Sequence, residues 1–108
     1  MTAYRLAPRA RKSVGEISDF TAERWGEDQA THHVGGLFAE IGRIADRKVR
    51  WPPLPSWMRI EGYRRGWGRH IIYWRLETDG TITVIAVLHE RMDQLARIRG
   101  AFRWANDD

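Results

Sequence analysis

In Thr21-Ala22-Glu23-Arg24-Trp25-Gly26-Glu27-Asp28-Gln29-Ala30, one glycine separates two helical patterns. Upstream, Pro8 suits the first position of a helix, where its missing N–H is an orphan in any case. From there the pattern runs to about Trp25, with Ala10, Val14, Ile17 and Thr21 on one face and Phe20 beside it. Gly26 is a good helix stop. Downstream, Glu27 and Asp28 fall in the first turn of a second helix, favourable to its dipole. Ala30, Val34, Leu37, Phe38, Ile41, Ile44 and Ala45 then keep the cleanest helical period in the chain. Two helices joined by so short a break pack antiparallel, giving a hairpin from Pro8 to Asp46.

Outward from the hairpin the pattern changes. Ala3 to Ala7 suits a first short strand. Val49 to Trp57 is a loop whose prolines at 52, 53 and 55 exclude helix and favour extended backbone, with both tryptophans expected over the sheet edge. Three strands follow, at about Met58 to Tyr63, Arg69 to Leu76 and Thr81 to His89. Arg64 to Gly68 makes the first turn and Thr78-Asp79-Gly80 the second, Asp-Gly being a strong hairpin signal. The last two strands are apolar on both parities, which predicts a sheet covered on both faces. The hairpin supplies one cover, and a final amphipathic helix with Met92, Leu95, Ile98 and Phe102 supplies part of the other. The order β-α-α-β-β-β-α is an α+β fold, helices on an antiparallel sheet, expected as one domain over residues 1–108.

Composition narrows the chemistry. With 108 residues, 43% hydrophobic and 30% charged, the chain suits a globular fold. No cysteine is present, so disulfides, thiolate metal sites and cysteine nucleophiles are excluded. No run reaches signal-peptide or membrane-span length, and the expected location is the cytoplasm. The net charge of +4 is unevenly spread: Arg43 to Arg75 holds nine basic and two acidic residues. Sixteen of the eighteen cations are arginine, whose planar fork pairs with carboxylates and phosphates and stacks on rings. An acidic protein partner or nucleic acid is therefore expected.

Gly68-Arg69-His70-Ile71-Ile72-Tyr73-Trp74-Arg75 and Val87-Leu88-His89-Glu90-Arg91-Met92-Asp93 complete the picture. With Thr21 to Ala30 before them, these strings resemble the ParE branch of the RelE/ParE toxins, over Tyr4 to about Ile98. The resemblance implies the toxic half of a bacterial type II toxin–antitoxin pair. It implies a protein that poisons DNA gyrase by binding, trapping it on cleaved DNA, with no catalysis of its own and no cofactor. It further implies a ParD-like antitoxin that lays a C-terminal segment across the toxin in a hetero-oligomer, with nucleic acid met only through the target complex. Ala7 departs from the family habit of Ser or Thr before the helix-opening proline, so a side-chain cap worth about 1 kcal/mol is missing. The Trp51–Trp57 loop reads as a second departure from the family pattern.

Arginine interleaved with aromatics suits either phosphate and base or a partner protein. Arg59, Tyr63, Arg65, Trp67, Arg69, His89 and Arg91 are the expected antitoxin groove. The alternative function is a ribosome-dependent mRNA endonuclease of the RelE type, with His89 in an acid–base role and Arg65 or Arg69 on the phosphate. Against it, no tyrosine follows Tyr73 and only two lysines remain. A plain nucleic-acid-binding module is a third reading. His32-His33 on the second helix point about 100° apart and read as exposed residues, not as a metal site. Gly35-Gly36 and Gly42 either weaken the second helix by roughly 1 kcal/mol each or let another helix approach.

Overall fold

A computed structural model describes residues 3–107, with side chains as far as Arg103. In it, β1 is Tyr4–Leu6, α1 Pro8–Trp25 and α2 Glu27–Ala45. After a 3-10 turn at Ser56–Met58 come β2 at Tyr63–Trp67, β3 at His70–Leu76, β4 at Ile82–His89, and α3 at Gln94–Asp107. The α+β order read from the sequence holds. Gly26, at φ +90°, is the single residue between α1 and α2. As expected, no side chain caps α1 at Ala7.

The strands lie in the order β1-β4-β3-β2. β2, β3 and β4 are antiparallel neighbours, whereas β1 runs parallel to β4, so the sheet is mixed. The expected first strand of the ribbon is displaced. Met58 belongs to the 3-10 turn, and β2 begins only at Tyr63. The reason is local: Trp67 pairs with His70, and that two-residue connection needs a positive φ, which Gly68 supplies at +56°. Gly66 is thereby free to continue the strand.

Each face of the sheet has its own core. Leu37, Ile41 and Ile44 of α2 and Ala10 and Ile17 of α1 bury against Ile72, Trp74, Ile82 and Val84. On the other face, Ile98, Ala101 and Phe102 of α3 join Leu54 and Met58 over Tyr73, Ile85 and Leu88. Each such fully buried large side chain contributes roughly 1.5–3 kcal/mol. This is the double cover that strands apolar on both parities require. Trp51 joins the first core, edge-on to Tyr63 and Trp74, and its indole N–H donates to the Ile44 carbonyl at 3.0 Å. Trp57 does not follow it; its side chain is 65% exposed.

α3 is fastened at its start. The Tyr73 hydroxyl donates to Gln94 Oε1 at 2.6 Å, and Gln94 Nε2 donates to the carbonyls of His89 and Met92. Burial raises the Tyr73 hydroxyl's pKa above its ordinary value, partly opposed by Arg64, so it stays a donor. No helix among the described residues is long and apolar enough to cross a membrane.

Candidate docking cleft

β1 is three residues long and pairs only with Ile82, Thr83 and Val84 of β4. Beyond Val84, β4 has β3 on one side and no strand among the described residues on the other. α1 rises on one flank of this unpaired half and α3 on the other. The result is a cleft of about 1340 Å³ whose lining includes Ala86, Val87, Leu88 and His89.

The walls have a distinct chemistry. Phe20 and Trp25 of α1, 53% and 65% exposed, and Met92, 38% exposed, give apolar surface that the fold itself does not bury. Among the described residues, Arg9, Lys12, Arg69 and Arg97 put four cations in the lining against one carboxylate, Glu16. Arg9 reaches across to α3: its guanidinium lies 2.9 Å from where a Cβ on Gly100 would stand.

At the ribbon end the cleft is lined by rings in series. His33 packs on Trp67 at 4.8 Å between centroids, Trp67 lies 6.2 Å from His70, and His70 meets His89 edge-on at 5.3 Å. His33 is thus half-buried against the ribbon, not exposed like His32. His89 Nδ1 accepts the Arg91 N–H at 3.1 Å, which fixes Nδ1 as the unprotonated nitrogen. Burial, then the neighbouring His89 and His33, push the His70 pKa below its ordinary value, with Glu90 opposing. A depressed histidine pKa means the unfolded chain takes up the proton first. The stabilising contribution is therefore present above about pH 6.5 and fades as pH falls below that value. The loss of thermal stability between pH 7.5 and 5.5 is expected to shrink in His70→Gln; an unchanged pH profile refutes this assignment. Among the described residues no group of three or more His, Asp or Glu is placed to hold a metal ion.

The residues expected to form one groove divide. Trp67, Arg69 and His89 line the cleft together. Arg69 Nη1 lies 3.6 Å from Glu90 Oε1, an exposed contact that adds little stability. Arg91 follows His89 in an exposed turn and is not in the lining. Arg59 and Tyr63 line a second cavity, and Tyr63 also stacks on Trp74 at 5.9 Å. Arg65 turns under the sheet, its Nε donating to Glu40 Oε2 at 2.9 Å, with Arg43 3.5 Å from the other oxygen. Glu40 is buried, so Arg65→Met leaves its Oε2 without the hydrogen bond at 2.9 Å, with Arg43 alone still near the carboxylate. That change is expected to cost roughly 1–3 kcal/mol, read as a lower urea midpoint; an unshifted midpoint counts against it.

The residues that the sequence reading missed are Phe20 and Trp25, the flanking cations Arg9 and Arg97, and His33 and His70. Phe20 carried a usable signal: it stands off the core stripe, four residues after Glu16 and eight after Lys12, on one side of α1. His33 and His70 carried none, since only the folded sheet brings α2 to the ribbon.

A family model described as the ParE toxin of type II toxin–antitoxin system, parDE, matches residues 4–94. The chain belongs to the ParE toxin family. Toxin ParE1 of Mycobacterium tuberculosis is 40% identical over 91 residues, covering 83% of this chain and 91% of that protein. Toxin ParE1 of Caulobacter vibrioides is 32% identical over 99 residues, covering 91% of this chain and 99% of its own. Toxin ParE of Escherichia coli is 29% identical over 105 residues, covering 91% and 94%. The ParE match spans the hairpin, the sheet and the fastening residue Gln94. Of the described cleft residues, Arg97 and Ala101 on α3 lie beyond it.

Proposed function

We propose that this ParE-family toxin acts by binding DNA gyrase and holding it on cleaved DNA, without catalysis of its own. A ParD-like antitoxin silences it by occupying the cleft between α1 and α3. One observation carries the antitoxin half. The cleft combines an open strand edge, exposed Phe20, Trp25 and Met92, and a cationic lining. An extended segment laid along Ala86 to His89 adds a strand to that edge. Apolar side chains on the segment cover the exposed rings, and acidic ones meet Arg9, Lys12, Arg69 and Arg97. The family description, which names a parDE pair, supports the same partner.

The gyrase half is tested with purified toxin, gyrase and supercoiled plasmid. Double-strand breaks are expected to accumulate and to vanish when antitoxin is added first. No breaks at any toxin concentration overturns it. The His70–His89 pair beside Arg69 gives the mRNA endonuclease reading a specific footing. That reading requires codon-phased cuts in a translating extract, lost in His89→Ala; intact mRNA eliminates it.

A further inference from the structure

The second cavity, about 1120 Å³, opens on the α3 side of the sheet, away from the docking cleft. Arg59, Arg99 and Arg103 line it, all three exposed and none with a carboxylate partner among the described residues. Arg75 beside them is held by Glu77 at 2.6 Å, and Glu61 is the other acidic residue at hand. Arg59 has φ +55°, a left-handed conformation uncommon for a residue with a Cβ. Its N–H donates to the Ser56 carbonyl at 3.1 Å, closing the 3-10 turn, so the base of this side chain is fixed at the cavity rim. Arg99 and Arg103 are four residues apart on α3 and therefore neighbours on one side of the helix, about 6 Å apart at Cβ.

We propose that this cavity is a phosphate-binding face for the backbone of a nucleic acid. Guanidinium forks pair bidentately with phosphate oxygens, and three of them around one cavity offer successive contacts along a strand. A protein partner needs large apolar anchors, and these are gathered elsewhere. Phe20, Trp25 and Met92 line the docking cleft, while among the described residues Leu76 is the one exposed large apolar side chain in the lining of this cavity. The face goes beyond the antitoxin reading and needs neither antitoxin nor gyrase to be detected.

The test is fluorescence anisotropy of the full chain with a labelled 20-base-pair duplex across a salt series. Arg99→Gln with Arg103→Gln is expected to weaken binding roughly 60-fold at 0.1 M salt and to lower the slope of log K against log salt by about 2. Arg59→Gln alone is expected to lower that slope by about 1. The charge-matched control, Lys48→Gln with Arg50→Gln in an exposed loop, is expected to change affinity less than about 3-fold. Equal losses in both pairs overturn the proposal, because the attraction is then bulk charge. So does the absence of duplex binding, or tighter binding of an acidic polypeptide of equal charge to the same arginines. Antitoxin affinity of the Arg99/Arg103 variant separates the two readings: it stays at the wild-type level if only the phosphate face has been removed.

Discussion

Gly62→Ala lowers the thermal midpoint by about 10 °C. A Cβ there would stand 2.8 Å from both Cε1 and Cζ of Phe102 and 3.1 Å from the Trp74 carbonyl oxygen. Neither neighbour can give way. Phe102 is buried in the α3-side core, the Trp74 carbonyl is strand backbone, and the Gly62 carbonyl accepts the Leu54 N–H at 2.9 Å. Overpacking of this kind costs roughly 1–3 kcal/mol, and each kcal/mol moves the midpoint of a domain this size by about 4–8 °C. The clash is with the ring edge, so Phe102→Leu in the Gly62→Ala background is expected to lose less than the two single effects added together. Calorimetry on the four proteins reads that coupling. A midpoint for Gly62→Ala within a degree of wild type would refute the close approach.

The second large effect is on affinity with stability untouched. Phe20→Ala with Trp25→Ala is expected to weaken antitoxin binding at least about 30-fold, or 2 kcal/mol, as for aromatic anchors buried at an interface. In the free toxin both rings are more than half exposed, and the Arg24 guanidinium lies over Phe20 at 4.6 Å. The folded chain therefore gives up little, within about 0.5 kcal/mol. Titration calorimetry with the antitoxin and a urea curve on the toxin alone read the two quantities separately. Unchanged affinity would move the antitoxin off this cleft.

How far the sequence led differs from element to element. The hairpin was readable because it is local: helical period, Pro8, Gly26 and the acids after it need no distant contact. The two-faced sheet was readable for a related reason, since strands apolar on both parities have nowhere to put one set unless both faces are covered. β2 was placed too early because two glycines, Gly66 and Gly68, offered the turn, and only pairing with β3 chooses between them. Gly35 and Gly42 drew notice as places of close approach, yet a Cβ at either meets nothing within 4 Å, and at Gly36 only Trp67 at 3.6 Å. The tight sites are Gly62 and Gly100, which sit in no recognisable pattern. Arginine clustering in the sequence did not translate into one groove for the same reason. Neighbouring β2 residues point to opposite faces, and Arg65 is consumed by Glu40 on the α2 side.

α3 forms a party wall. Arg97 and Ala101 look into one chamber, while Arg99, Phe102 and Arg103 look into the other, and the helix rests on a footing of Gln94, Ile98 and Phe102. An occupant that re-seats this helix from one side alters the tenancy on the other, and thermodynamics requires the influence to be equal in both directions. Variants that loosen the footing, Gly62→Ala first among them, are therefore expected to disturb both chambers at once.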